Sequence, residues 1–215
     1  MDEKQKKVLS KFFKNYPLIK YKKGEVILKP GQEFKGIAFV KSGYAKMYTK
    51  SKSGKLLTLP IFKPIFFYSM ITAMMKKKSE HYIEAITPVE IWMAPKEKTL
   101  AFLKTNKDLS EKMSSFVTTE MMSLCCNITQ FVFGDATVKV SNIIHSIAEK
   151  YGTKTDKGTE IKFKTPHKML ASMLGLTRET VTLQILKMEK GKILAKHGRR
   201  LVVRNMDKLK DLGTL

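Results

Sequence analysis

Thr165–Arg204 limits the possible folds of this chain more than any other stretch of the sequence. Apolar residues recur at helical spacing over Met169–Leu174, and Gly175 is placed to end that helix. Thr165 is expected to cap the start of the helix, ahead of a proline whose missing N–H costs nothing there. Thr177 is expected to cap a second helix. Two helices joined by a short turn that contains glycine form a helix-turn-helix.

A β-hairpin is expected to follow the two helices. The second helix should end at about Lys190, and the runs at 192–196 and 199–204 predict two short strands around His197-Gly198. For the two helices alone, an ordinary helical hairpin packed inside a core is the alternative. The hairpin wing, its basic flank and the polar sequence Thr177-Arg178-Glu179 favour a winged helix-turn-helix that reads DNA.

The overall charge favours a polyanionic partner. Among 215 residues, 41 are Lys or Arg and 19 are Asp or Glu, which gives a formal net charge of +22. Such an excess of positive charge favours nucleic acid. From Asp135 onwards there are 17 basic and 8 acidic residues, against 24 and 11 before it. Both parts are therefore basic, and charge alone does not locate the binding surface.

The sequence also argues against several classes of protein. Cys125 and Cys126 are the only cysteines, so neither a disulfide framework nor a metal cage is expected, and a cytoplasmic location is predicted. The N-terminus has no apolar signal segment, and the longest near-apolar run, Pro64–Met75, is shorter than the ~20 residues that cross a bilayer. No membrane partner is therefore expected. No nucleophile–base pair, carboxylate pair or metal-ligand cluster is recognisable, so we expect no enzyme activity, no cofactor and no metal.

The N-terminal part reads as a β-structure. After an amphipathic helix at 4–15, the apolar period changes, and turn signals such as Pro30-Gly31 and Ser42-Gly43 separate short runs. Many short strands at regular spacing predict a β-sandwich or jelly-roll barrel. The predicted strands are 19–21, 26–28, 37–41, 45–49, 56–62, 82–86 and 89–93.

A long helix is expected to follow the barrel. Residues 106–133 contain neither proline nor glycine, and their apolar stripe includes Leu124, Ile128 and Phe131. The length of the stripe predicts that part of it pairs with its copy in a second subunit, and packing on its own barrel alone is the alternative. Gly134 should end this helix and Asp135 should cap the next one. A loop at 152–158 and a strand at 160–164 are expected before the helix-turn-helix.

This order of elements resembles the Crp/Fnr family of transcriptional regulators over nearly the full chain. KGEVILKPGQEFKGIAFVKSGYAKMY (Lys23–Tyr48) is similar to the family's opening barrel strands, Phe133-Gly134-Asp135 to its Phe-x-Asp hinge, and LGLTRETV (Leu174–Val181) to its recognition helix. The resemblance implies an α+β protein with an effector-sensing β jelly-roll barrel at 1–105, a dimerisation helix at 106–134 and a winged helix-turn-helix at 135–215. It implies a homodimeric regulator that binds a double-stranded DNA operator, and it makes RNA polymerase a further candidate partner.

The barrel departs from the cyclic-nucleotide-binding members of that family. Those members carry a Gly-Glu pair and, about ten residues later, an Arg-Ser or Arg-Thr pair whose arginine neutralises the phosphate. In this sequence Ser69 replaces the glutamate, and Ser79-Glu80 replaces the second pair. A carboxylate at the second position would repel a phosphate, so a cyclic nucleotide is not expected.

A different small-molecule effector is expected in the barrel. The aromatic residues and methionines around Ser69 suit an apolar or aromatic ligand. Two alternatives remain open: the barrel is only a scaffold, or Cys125 and Cys126 sense the thiol redox state. Iron–sulfur sensing is not expected, because it needs four cysteines. The residues expected to bind the effector are Phe66, Phe67, Tyr68, Ser69, Met70, Met74, Leu124 and Cys125.

The resemblance places the second helix of the helix-turn-helix in the major groove of DNA. Arg178 and Glu179 match the family's base-reading pair, and they can bind guanine and cytosine respectively. Leu183 stands where many members have a second base-reading arginine, and Gln184 stands where an apolar residue usually packs. Either Leu183 touches a thymine methyl group or the helix is rotated slightly. The residues expected to contact DNA are Thr165, Lys168, Thr177, Arg178, Glu179, Thr180, Thr182, Leu183, Lys187, Arg199 and Arg200.

Overall fold

The computed structural model describes residues 2–33, 35–65, 67–68 and 77–214, and for residues 67–68 it describes the backbone alone. The chain divides into two compact units. The first consists of Met1–Thr49 and Leu59–Met121, and the second of Lys50–Thr58 and Met122–Leu215. The division falls inside one long helix.

Two four-stranded sheets follow the N-terminal helix α1 (Glu3–Phe13). Every strand that the apolar pattern predicts is present to within one residue at each end, and one further short strand, β6, is added. The sheets have the strand orders β1-β8-β3-β6 and β2-β7-β4-β5, which confirms the expected N-terminal β-domain. The strands are β1 (Leu18–Tyr21), β2 (Val26–Leu28), β3 (Ile37–Ser42), β4 (Ala45–Lys50), β5 (Leu56–Phe62), β6 (Phe67–Tyr68), β7 (Tyr82–Ala85) and β8 (Val89–Ala94).

Stacked aromatic rings pack the N-terminal helix into the apolar core of this domain. Phe13 is fully buried and stacks on Phe39 of β3, with 4.6 Å between the ring centroids. Phe12 stacks on Phe102 at 4.1 Å. Phe102 belongs to helix α2 (Lys96–Thr105), which the sequence analysis did not predict. Because a buried aromatic side chain contributes about 1.5–3 kcal/mol, these rings fix both helices.

The long helix α3 (Lys107–Phe133) is continuous for 27 residues, as predicted. Leu109 is the one buried residue of this helix, and from Val117 onwards its large apolar side chains are mostly more than half exposed. In the described ranges, no helix has the combination of length and apolar character that crossing a membrane requires.

The second unit contains the remaining helices and a third sheet. Asp135 caps the helix that follows the break, because its side chain accepts a hydrogen bond from the Val138 amide at 2.9 Å. The third sheet has the order β11-β12-β10-β9 and is antiparallel. The elements are α4 (Ala136–Tyr151), β9 (Gly152–Thr155), β10 (Gly158–Ile161), α5 (His167–Leu174), α6 (Arg178–Lys190), β11 (Leu194–His197), β12 (Arg200–Val203) and α7 (Met206–Asp211).

Four details of this unit differ from the sequence analysis. The predicted loop at 152–158 contains strand β9, and the strand predicted at 160–164 is β10, which ends at Ile161. Helix α7 was not predicted. The prediction that Thr165 caps α5 is wrong, since Pro166 precedes the first helical residue and no side chain caps it. The backbone of Pro166 is extended there, which carries Thr165 away from the helix start into the interior.

Candidate nucleic-acid interface

The turn between α5 and α6 is built as the sequence predicted. Gly175 ends α5 in the left-handed region at φ +64°, where a side chain is disfavoured, and its N–H donates to the Ala171 carbonyl. A Cβ at Gly175 would lie 3.1 Å from the Phe131 ring of α3. Thr177 then caps α6 by accepting a hydrogen bond from the Thr180 amide at 3.1 Å. These two caps fix the point where α6 begins.

One face of α6 is buried, and it includes a polar residue. Val181, Ile185 and Met188 are at most 2% exposed, and Gln184 is 7% exposed. The Thr137 hydroxyl, in the first turn of α4, donates a hydrogen bond to Gln184 Oε1 at 3.1 Å. A buried polar group without a partner costs free energy, so this contact explains how a glutamine occupies an otherwise apolar face. It also sets the rotation of α6 about its axis.

The opposite face of α6 is exposed and mixed in character. Arg178 and Glu179 lie in its first turn, and the Leu183 and Leu186 side chains are 53% and 45% exposed. The exposed residues of this face are Arg178, Glu179, Leu183, Leu186, Lys187 and Lys190.

A histidine couples the two helices of the motif. His167 Nδ1, at the start of α5, lies 2.7 Å from Thr182 Oγ1 of α6. The Thr182 hydroxyl donates its hydrogen to the Arg178 carbonyl at 2.8 Å, so His167 Nδ1 is the donor in the first contact. Burial lowers the pKa of His167, and the nearby positive charge of Lys196 lowers this pKa further. The neutral imidazole is therefore favoured in the folded protein.

The wing is fastened by a carboxylate on the neighbouring strand. Glu160 of β10 accepts hydrogen bonds from His197 Nδ1 and from Arg200, both at 3.1 Å. The His197 hydrogen bond, and then that of Arg200, lower the pKa of Glu160. Arg200 and His197 stand at the two ends of the turn between β11 and β12. The carboxylate thus holds this turn while leaving the side chains of His197 and Arg200 more than half exposed.

The predicted phosphate-contacting residues differ in accessibility. Lys168, Lys187, Arg199 and Arg200 are exposed, and Thr180 is half-buried with its hydroxyl 2.8 Å from that of Thr177. Thr165 is 5% exposed, and its hydroxyl has no partner among the described residues. Its side chain is therefore not part of the exposed surface that the other residues form.

Several residues of this surface were not found from the sequence. Leu186 could have been found, because it lies seven residues after Glu179 and therefore on the same helical face. Glu160 and His167 contact partners 40 and 15 residues away in the sequence. No local pattern indicates such pairs.

The structure describes only some of the residues that are expected to bind the effector. Phe66, Ser69, Met70 and Met74 lie outside the described residues, and the described backbone of Phe67 and Tyr68 forms β6, which pairs with β3. Leu124, Cys125 and Cys126 are exposed on α3.

The position where a phosphate-binding arginine would stand is occupied differently. The Ser79 hydroxyl is buried, donates to the His81 carbonyl at 2.9 Å and accepts from the His81 amide at 3.1 Å. Both of these hydrogen bonds stay within the serine's own loop. The next residue, Glu80, is exposed. Neither residue supplies a positive charge.

The apolar side chains of α3 form an exposed stripe, which we call the α3 stripe. Its members recur at intervals of three and four residues, so they lie along one side of the helix. Their exposed fractions range from 46% at Phe131 to 62% at Ile128. The α3 stripe consists of Val117, Met121, Leu124, Ile128 and Phe131.

Two domain families match this chain. The cyclic nucleotide-binding domain model matches residues 18–106, and the Crp-like helix-turn-helix domain model matches residues 139–212. The two matches follow one another in the order of the β-domain and the helix-turn-helix, and together they cover more than half of the chain.

Similar proteins match this chain over most of its length. The global nitrogen regulator of Nostoc sp. is 22% identical over 185 residues, which span 85% of this chain and 83% of that protein. A solved CooA mutant from Carboxydothermus hydrogenoformans has a TM-score of 0.77 at 22% identity, covering 95% of this chain and 91% of that one. A transcriptional regulator of the CRP/FNR family from Thermus thermophilus has a TM-score of 0.70 at 21% identity, covering 92% of this chain and 98% of that one. At these identities the structural likeness establishes the fold.

The lowered pKa of His167 predicts a pH-dependent stability. The unfolded chain, with a histidine pKa near 6.5, binds the proton more readily than the folded protein does. The contribution of His167 to stability is therefore expected to be lost as the pH falls from about 6.5 towards the folded-state pKa, and to change no further below it. Urea unfolding of the wild type and of His167→Asn at about pH 7 and about pH 5.5 measures the free energy of unfolding. The decrease in this free energy between the two pH values should be smaller in the variant. His145→Asn is the control, and it should retain the part of the pH-dependent decrease that comes from His167. Equal decreases in the unfolding free energy of all three proteins would contradict the prediction.

Proposed function

Because this chain belongs to the Crp/Fnr family of DNA-binding transcription regulators, we propose that it binds a specific operator as a homodimer and answers to a non-nucleotide small molecule. One observation carries the DNA-reading part of this proposal. The exposed face of α6 begins with Arg178 and Glu179, and its rotation is fixed by the buried face behind it. Both side chains can therefore enter a major groove without repacking the helix.

The chemistry of the first turn suits base edges. An arginine can donate two hydrogen bonds to guanine O6 and N7, and a glutamate can accept one from cytosine N4. Lys187 and Lys190 on the same helix, and Arg199 and Arg200 on the wing, are exposed cations that suit phosphates on either side. Phosphate contacts set the position of the protein, and base contacts give the sequence preference.

The homodimer is supported by the α3 stripe. Side chains of this size on a lone helix would leave a continuous apolar surface in water, which monomeric proteins rarely do. Spacings of three and four residues allow knobs-into-holes packing against a second copy of the same helix. Two recognition helices would then read two half-sites about one turn of DNA apart.

The effector proposal rests on what the Ser79 loop offers. A cyclic nucleotide needs a cation at its phosphate, and Ser79 and Glu80 supply none there. An apolar or aromatic molecule is the better-matched class of ligand. One observation favours a second candidate signal, because the thiols of Cys125 and Cys126 are both exposed and open to an oxidant.

Loss of either base-reading side chain should weaken specific binding. We expect Arg178→Ala and Glu179→Ala each to lose about 1–3 kcal/mol, or about 5- to 150-fold, on the specific site. Binding to random duplex should change far less. Fluorescence anisotropy at fixed salt measures the affinity for a selected operator and for a random duplex. Lys154→Ala, which removes an exposed cation from β9, is the control, and an equal loss in that variant would count against base reading.

A charge placed in the α3 stripe should separate the subunits. Ile128→Lys is expected to weaken the dimer at least about tenfold, because desolvating a lysine opposes packing. Sedimentation equilibrium measures the dissociation constant. Thr119→Lys is the control, since Thr119 lies nine residues earlier on the opposite side of α3 and is exposed. Unchanged association in Ile128→Lys would exclude this surface as the dimer contact.

The effector is tested by titrating ligands into the operator complex. An aromatic carboxylic acid from a small panel is expected to raise operator affinity more than about tenfold, and cyclic AMP is expected to have no effect. A thiol oxidant forms a separate arm, with Cys125→Ser plus Cys126→Ser as its control. A response to cyclic AMP would refute the assignment made from Ser79 and Glu80. Tight specific binding that no arm alters would identify the β-domain as a scaffold.

A further inference from the structure

Two leucines interrupt the polar surface of the recognition helix α6. Leu183 and Leu186 are 53% and 45% exposed. An exposed leucine by itself is common on protein surfaces. These two are unusual in their position, because they lie in the middle of the face that carries Glu179.

Helical geometry places the leucines directly in line with the base-reading residues. With 3.6 residues per turn, Glu179, Leu183 and Leu186 are separated by four and three residues and share one side of the helix. The buried residues Val181 and Met188 lie on the opposite side. A helix docked so that Glu179 faces base edges therefore presents Leu183 to the same groove floor.

The rise of the helix fixes how far apart the two contacts lie. At about 1.5 Å per residue, Leu183 is about 6 Å beyond Glu179 along the axis, and about two base pairs of 3.4 Å fit that distance. Leu186 lies about 10 Å beyond Glu179. Because the N-terminal part of such a helix approaches the bases most closely, Leu183 is the better placed of the two.

The major groove offers a leucine one suitable partner. Guanine, adenine and cytosine present hydrogen-bonding atoms there, and a leucine side chain pressed against them would remove water without replacing its hydrogen bonds. Thymine presents an apolar C5-methyl group. We propose that Leu183 specifies a thymine in each half-site, about two base pairs from the base pair that Glu179 reads, by burying that methyl group. This inference rests on the proposed operator binding.

The charge around the leucines favours DNA over a protein as their occupant. Arg178, Lys187 and Lys190 are exposed on the same helix, and Lys196 and Arg199 are exposed on the wing. A protein partner would have to carry a matching acidic surface around an apolar contact. Duplex DNA provides both features, since its phosphates flank the base edges.

Removing single methyl groups from the operator tests the proposal. The operator is first selected from a random duplex library with the full-length protein, and each thymine of a half-site is then replaced in turn by deoxyuridine, which lacks only the C5-methyl. At one position per half-site the replacement should weaken wild-type binding about fourfold, which corresponds to ~0.8 kcal/mol for one buried carbon. Replacement in both half-sites should weaken it about 15-fold, if the two act independently.

Variants of the protein show which leucine contacts the thymine C5-methyl group. In Leu183→Ala the sensitivity at that position should disappear, whereas Leu186→Ala, which removes the same groups one turn later, should retain it. Both positions are exposed, so neither variant should lose its fold, and circular dichroism checks this. As a second measurement, Leu183→Arg should change the selected base from thymine to guanine.

The outcomes separate this inference from the proposed function. Specific binding that is indifferent to every deoxyuridine, or a sensitivity that persists in Leu183→Ala, would overturn the thymine assignment while leaving operator binding intact. A sensitivity that only Leu186→Ala abolishes would overturn it in the same way. If the selection yields no preferred sequence, or the leucines prove to bind a protein, the proposed operator reading fails and the inference fails with it.

Discussion

The hydrogen bond between Thr137 and Gln184 is the contact on which the geometry of the candidate interface depends. It lies in the apolar interior between α4 and α6, where an unpaired amide would cost about 1–3 kcal/mol. Gln184 faces Thr137, and together with the buried side chains of Val181, Ile185 and Met188 this contact sets the rotation of α6. The exposed positions of Glu179 and Leu183 follow from that rotation. Because Thr137 belongs to the first turn after the Gly134–Asp135 break, the same bond ties the recognition helix to the place where the chain leaves α3.

Two further polar contacts hold the start of α5 and the turn of the wing in place. His167 fixes the start of α5 against Thr182 of α6, and Glu160 fixes the turn of the wing through Arg200. The pKa of Glu160 is lowered by its hydrogen bonds, which favours the carboxylate that holds the wing, whereas the pKa of His167 is lowered by burial and by Lys196. The side chains of Arg200 and His197 remain exposed, since Glu160 approaches them from the sheet. The surface is thus ordered before any phosphate arrives, which lowers the entropy cost of binding.

The sequence predicted elements well and long-range contacts poorly, for a physical reason. Strand positions followed from the alternation of apolar residues and from turn glycines, and the helix caps at Asp135 and Thr177 followed from the geometry of side-chain oxygens near a helix start. Thr165 failed as a cap because the extended backbone at Pro166 turns it inwards, which a preference for capping residues does not reveal. The pairing of Glu160 with Arg200 joins two strands 40 residues apart, so it becomes visible only once the sheet is built. The buried Gln184 was noticed as an anomaly, but its partner could not be predicted.

Two exposed apolar surfaces of this chain are distinguished by their charge. From Met113 to Phe133 the helix α3 contains one charged residue, the acidic Glu120, and no cation, so the helix itself offers no positive charge to a polyanion. The proposed partner of the α3 stripe is a second copy of the same helix. The leucines of α6 lie instead among Arg178, Lys187 and Lys190, and a second copy of α6 would bring like charges together. On the proposed function, the same hydrophobic effect selects different partners at the two places, a subunit at α3 and a duplex at α6, because the charges around the apolar groups determine which surface can approach.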